Sequence, residues 1–149
     1  SRSDIRTPMK TSLSIIAIVL CVAAFASAQE ADCPKAIKVH QTIDAIPQGW
    51  TADTDESDHI LAGVTFFSGS PEEKASLVYD NWKKRDGLAD AVWNFQPDST
   101  HRIWLSCRYA NTDVVLTKEL PEKISQCNVT YNPKTQVAGL PEIRNMTCH

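Results

Sequence analysis

No apolar run in this chain is long enough to cross a bilayer as a helix. The longest, residues 13–25, falls well short of the roughly 20 residues a spanning helix needs, which argues against a retained transmembrane anchor. Zinc-ligand spacing is lacking as well: there is no C-x-x-C pair, and the only His beside a Cys is the terminal Cys148-His149, so no metal site is expected. G-x-S-x-G, H-E-x-x-H and phosphate-loop motifs are missing. Ser68-Gly69-Ser70 lacks the strand-to-helix elbow that exposes a catalytic serine, and His40, His59, His101 and His149 are scattered. Without these, no enzymatic activity and no cofactor are expected, although a triad assembled from distant residues would escape a motif search. Basic excess is lacking too. Lys and Arg number 15 against 18 Asp and Glu, a formal charge of −3, which leaves no footprint for nucleic acid or an anionic membrane.

The acidic stretch Asp53-Thr54-Asp55-Glu56-Ser57-Asp58 begins like a calcium loop. It departs where specificity lies, with Asp58 in place of the sixth-position Gly and Val64 in place of the twelfth-position Glu. A solvated acidic loop is the expectation, available as rim charge for a protein partner.

What is present begins with an export signal. Lys10, the apolar run and Ala26-Ser27-Ala28 ahead of Gln29 form a secretory signal peptide over residues 9–28, cleaved after Ala28. Leu20 stands before Cys21 where lipoprotein cleavage wants a small residue, so lipid anchoring is not expected. Residues 1–8 precede the more natural start at Met9 and are set aside as an upstream leader. The mature chain, residues 29–149, is expected to be a single domain in the periplasm or outside the cell. Loss of Arg2, Arg6, Lys10 and Asp4 makes it two charges more negative than the whole, which suits a basic protein partner.

Cys33, Cys107, Cys127 and Cys148 remain, and an even count in an exported domain implies two disulfides in one of three connectivities. The preferred pairing is Cys33 with Cys148, closing the two ends, and Cys107 with Cys127. If residues 102–110, 113–120 and 125–131 form a simple meander, however, Cys107 and Cys127 sit two strands apart, about 9–10 Å, beyond disulfide reach.

Along the mature chain, Ile37, Val39 and Ile43 alternate with polar residues and predict a first strand. Residues 59–68 are β-branched and aromatic, a second strand ended by Ser68-Gly69-Ser70-Pro71. Ser70 as N-cap, Pro71 at N1 and Glu73 at N3 predict one or two helical turns, then an exposed loop broken at Gly87. Beyond it, Ala91-Trp93-Phe95, Ile103-Leu105-Cys107-Tyr109, Val114-Leu116, Cys127-Val129-Tyr131 and residues 143–148 alternate as strands, with turns at 97–100, 110–113, 121–123 and 132–135. The expected fold is mainly β: an antiparallel sandwich or partly closed barrel of about seven strands, with one short helix and two disulfides.

Trp93 belongs to an apolar face, whereas Trp104 alternates with Arg102, Ser106 and Arg108. Either the arginines cover the ring, or the face is an aromatic anchor with the composition of a protein-binding hot spot. Trp50 and Trp82, both in expected loops, raise the same question. Asn128-Val129-Thr130 and Asn145-Met146-Thr147 match the glycosylation acceptor, but both lie inside expected strands and the three-residue pattern arises often by chance.

Cys33-Pro34, Pro47-Gln48-Gly49-Trp50, Phe66-Phe67-Ser68-Gly69-Ser70-Pro71, Ala75-Ser76-Leu77, Trp104-Leu105-Ser106-Cys107-Arg108-Tyr109-Ala110-Asn111-Thr112, Leu120-Pro121 and Cys127-Asn128-Val129-Thr130-Tyr131 together resemble a family of small exported proteins of Gram-negative bacteria. Some members are similar to immunity proteins that guard the periplasm against type VI secretion effectors attacking peptidoglycan, including effectors with an L,D-transpeptidase-like domain. The resemblance implies a rigid, disulfide-stapled β domain that occludes the cleft of a toxin or cell-wall hydrolase, an inhibitor with an enzyme or toxin as its protein partner. The surfaces expected to bind are the loops at 68–76 and 79–87, with Ser68, Gly69, Ser70, Glu72, Glu73, Tyr79 and Trp82, followed by the face of Arg102, Trp104 and Arg108. A periplasmic carrier or envelope structural protein holding a small ligand in a barrel mouth is the alternative, and a secreted hydrolase the third.

Overall fold

The computed structural model describes residues 31–53, 56–96 and 101–149. The leader, the signal peptide with its cleavage site, Thr54 and Asp55 of the acidic stretch, and the turn at 97–100 lie outside the described residues. No helix among the described residues is long and apolar enough to cross a membrane.

The described residues form nine strands in two antiparallel sheets. Sheet one orders β1 (Ala36–Ile37), β2 (His59–Ser68), β6 (Ile103–Tyr109) and β7 (Val115–Glu119), with β3 (Ser76–Leu77) also paired to β2. Sheet two orders β4 (Asn81–Arg85), β5 (Leu88–Asn94), β8 (Gln126–Val137) and β9 (Leu140–Cys148). The sheets face each other across one core, as a mainly β, partly closed sandwich. Phe66 and Leu105 of sheet one and Ala91, Cys127 and Val129 of sheet two are fully buried there. Phe66 sits at its centre, its ring 5.0 Å from Trp93 and 5.2 Å from Phe95. Burial of one such large apolar side chain contributes roughly 1.5–3 kcal/mol, and this cluster joins the two sheets.

Local chemistry explains several turns. Ser70 caps the 3-10 turn Pro71–Glu73: its hydroxyl accepts from Glu72 N at 3.4 Å, and its own N–H donates to Glu73 Oε1 at 3.0 Å, the reciprocal capping box expected from sequence. The turn stays a single 3-10 turn because Lys74 enters the left-handed region at φ 56° and Ser76 then joins sheet one. The expected exposed loop at 79–87 is instead β4 and its turn. Asp86 and Gly87, both at positive φ, close a two-residue hairpin between Arg85 and Leu88, and Ala138-Gly139 do the same between β8 and β9. The loop expected at 132–135 lies within β8, irregular in register between Asn132 and Gln136.

The first strand is shorter than its alternation suggests. Only Ala36 and Ile37 pair with β2, residues 38–43 run without a strand alongside, and Ile43 is exposed.

The expected cysteine pairing is corrected. Cys33 bonds Cys107, with Cα atoms 5.8 Å apart, and Cys127 bonds Cys148 at 4.1 Å. After β7, Leu120 and Ile124 bury themselves at a crossover that takes the chain from sheet one to sheet two. Cys107 and Cys127 therefore belong to different sheets, and Cys127 lies directly opposite Cys148 on adjacent strands. The segment before β1 is fastened to sheet one by Cys33, by Tyr109 Oη donating to Pro34 O at 3.0 Å, and by Leu61 N donating to Lys35 O at 2.9 Å.

Candidate functional site

The candidate surface grows outward from the core. Trp93 packs on Phe66 and directs its indole N–H to Leu77 O at 3.2 Å, tying sheet two to β3 of sheet one. Tyr79 meets the edge of Trp93 at 6.0 Å and Trp82 at 5.4 Å, and Trp82 in turn stacks on Tyr131 at 5.7 Å. This continuous aromatic chain leads from buried Trp93 to Tyr79 and Trp82, which are 44% and 39% exposed. The backbone beneath is clamped by Asp80, whose N–H donates to Val92 O at 2.8 Å and whose carboxylate accepts from Asn94 N at 2.6 Å. Exposed rings fixed from below lose little conformational entropy on binding, the property that favours aromatic anchors at interfaces.

Trp82 shares the inward face of sheet two with Ala91 and Ala89. Those methyl groups leave space that Trp82 and Tyr131 fill from the strands on either side. Tyr131 also lines a cleft of about 370 Å³ between β2 and the tip of the β8–β9 hairpin, with Gly63, Thr65, Ser106, Arg108 and Leu140. Leu140, at the tip of the β8–β9 hairpin, and the Arg108 guanidinium both crowd Gly63, where an added Cβ would lie 3.5 Å and 3.4 Å from them. Burial pushes the Tyr131 hydroxyl up to about 12, so it remains a donor throughout the physiological range. Tyr131 thus joins the ledge of Tyr79 and Trp82 to the cleft that holds Arg108.

The remaining residues expected at a binding surface fall into two groups. Ser68, Gly69, Ser70 and Glu73 build the capped turn: Gly69 is buried, its N–H donates to Arg102 O at 2.7 Å, and the polar groups of Ser70 and Glu73 serve the cap. Both acids of that turn are exposed, and Glu72 is the one whose carboxylate takes no part in the cap. Arg102 is half-buried and held by Glu119 at 3.0 Å, Glu122 at 2.8 Å and Leu120 O at 3.4 Å. It is therefore a partly exposed strut between the start of β6 and the crossover. Trp104 is half-buried opposite Phe67, and Arg108 is exposed. No carboxylate lies in ion-pair range of Arg108 among the described residues. Trp50 stands apart, 74% exposed beyond the turn at Gly49.

Tyr131 was missed as a candidate. Its signal lies in the alternation Cys127-Val129-Tyr131, which places it on the inward face, opposite Ala89 of β5. The groups present can bind by apolar contact, hydrogen bonding and one unpaired guanidinium. No cluster of three or more His, Cys, Asp or Glu able to hold a metal ion occurs among the described residues.

A relative from Azospirillum brasilense, described as an uncharacterized 16.3 kDa protein in the trpG 5′ region, is 27% identical over 128 residues, 82% of this chain and 85% of the relative. No solved structure matches. Residues 55–149 match the family described as type VI secretion system Tli immunity protein, a span that includes all of sheet two and the aromatic ledge. This chain belongs to the Tli immunity protein family of the type VI secretion system.

Proposed function

We propose that the protein resides in the periplasm and neutralises a cell-wall-targeting type VI effector by binding it and covering its active-site cleft. Family membership supports an effector as the partner, and two disulfides suit an oxidising compartment. The observation that carries the reading is the aromatic ledge: Tyr79 and Trp82 are exposed yet held by Trp93 and Tyr131. An occluding inhibitor needs such a pre-organised surface and no catalytic group of its own. Tyr79, Trp82 and Tyr131 form the centre of contact. Arg108 flanks it, Trp104 backs sheet one, and Ser68, Gly69, Ser70, Glu72 and Glu73 contribute through the capped turn, with Arg102 bracing β6.

The test is direct. A type VI effector recovered from the source cells on the immobilised mature protein, then purified and mixed with it, is expected to form a stoichiometric complex and to lose its activity on peptidoglycan. Expression of the exported form protects cells that receive the toxin in the periplasm, whereas a form lacking residues 9–28 does not. Failure of the pair to associate, or equal protection by the unexported form, would overturn the reading.

A further inference from the structure

We infer that the free edge of β4 is the docking line for an acidic, extended segment of the effector, which adds to sheet two as a further strand. This rests on the inhibitor reading above and names the geometry and charge of the contact.

Among the described residues β4 pairs only with β5, and all five of its residues are exposed. The two-residue turn at Asp86-Gly87 makes Arg85 and Leu88 the hydrogen-bonded closing pair. Hydrogen-bonded and non-hydrogen-bonded pairs alternate along an antiparallel ladder, so Trp82 and Lys84 fall at non-hydrogen-bonded positions opposite Ala91 and Ala89. Their N–H and C=O groups consequently point away from β5, as the donor and acceptor row that an added strand requires.

The charge of this edge selects its occupant. Lys83 and Lys84 project to opposite faces, and neither has an acidic partner among the described residues. Arg85 is joined to Asp90 at 3.5 Å, and the Lys134 ammonium approaches Gly87. A basic strip on a chain of formal charge −3 points to an acidic segment at this contact, whatever the net charge of the partner that carries it. A second copy of this chain is disfavoured, since antiparallel pairing of β4 with itself sets lysines against lysines, and like charges directly opposite destabilise a sheet. Edge lysines of this kind also guard against self-aggregation. A merely guarded edge, however, would not carry Val78, Tyr79 and Trp82 exposed beside it at 78%, 44% and 39%. Those residues supply the apolar pockets that give strand addition its specificity.

The experiment uses the mature protein and the type VI effector recovered with it. Backbone amide exchange of the wild-type protein, free and bound, is expected to show new protection at Trp82 and Lys84 on binding. Lys83→Glu with Lys84→Glu is expected to weaken the complex by roughly tenfold or more at low salt, mainly through a slower on-rate. Lys84→Pro, which removes an outward N–H and no β4–β5 ladder bond, is expected to weaken it comparably with β5 still protected. If the wild-type complex forms but Trp82 and Lys84 gain no protection, and the charge-reversed variant binds as tightly as wild type, the docking line is wrong while the inhibitor function stands. If the wild-type pair does not associate at all, both fail.

Discussion

Trp82 lies on Tyr131 with ring centroids 5.7 Å apart and planes 28° from parallel, bridging the alanines of β5 from the two strands that flank it. The pair is partly exposed, so its chief consequence is for binding. Trp82→Ala is expected to weaken effector binding by about 2 kcal/mol or more, the range of an interface anchor. The folding free energy should fall by only about 1 kcal/mol, because much of the ring is already in water. Titration calorimetry and urea unfolding of the same preparation separate the two. A stability loss larger than the affinity loss would make Trp82 a packing residue.

The disulfides differ in what they close. Cys33–Cys107 spans 74 residues of sequence and Cys127–Cys148 spans 21. On the chain-entropy account, removing the first by paired Ser substitution costs about 4 kcal/mol and removing the second about 3 kcal/mol. Denaturant midpoints should follow that order. Non-reducing peptide mapping should recover Cys33 with Cys107 and Cys127 with Cys148.

Gly69 has φ +89°, and a Cβ there would fall 2.8 Å from Glu73 Oε1, the acceptor of the capping bond. Gly69→Ala is expected to cost about 1–3 kcal/mol through the left-handed backbone, with a further loss as the carboxylate is pushed off Ser70 N. A double-mutant cycle with Glu73→Ala isolates the second part: Gly69→Ala should cost less in the Glu73→Ala background, and equal costs would remove the clash from the account.

Tyr131 titrates at about 12 in the fold against 10.0 for the free side chain, because burial disfavours the phenolate. Its folded value is raised, so its contribution to stability is complete below pH 10 and is lost as the pH climbs from 10 through 12. Burial first, and then the nearby Asp32 charge, raise Tyr109 as well. Thermal unfolding of the wild type should therefore be level with respect to these two groups up to pH 10 and fall beyond it. Tyr131→Phe should show a shallower fall, and an unchanged alkaline limb would assign the loss to other groups.

The residues that alternate with period two are legible without a structure. Ala91-Trp93, Ile103-Leu105-Cys107-Tyr109 and Cys127-Val129 each occupy a buried face, because the side-chain period of a strand is a local property of the backbone. The Ser70–Glu73 capping box is local too. β4 was harder to see: Asn81-Trp82-Lys83-Lys84-Arg85 has no apolar alternation, since an edge strand exposed along its length need not bury either face. Its one local signal is the Asp86-Gly87 pair that turns it back on β5.

By itself, then, the sequence determined the β class, the single capped turn and the absence of any recognisable catalytic motif, all matters of short-range spacing. Tertiary structure decided that the chain changes sheets between β7 and β8, and with it that Cys107 finds Cys33 while Cys127 finds Cys148. It also decided that Tyr131, on a strand distant in sequence, joins the neighbouring Tyr79 and Trp82 in one ledge. Strand partners and cross-sheet contacts are chosen by which buried faces close on each other around Phe66, and no local pattern contains that choice.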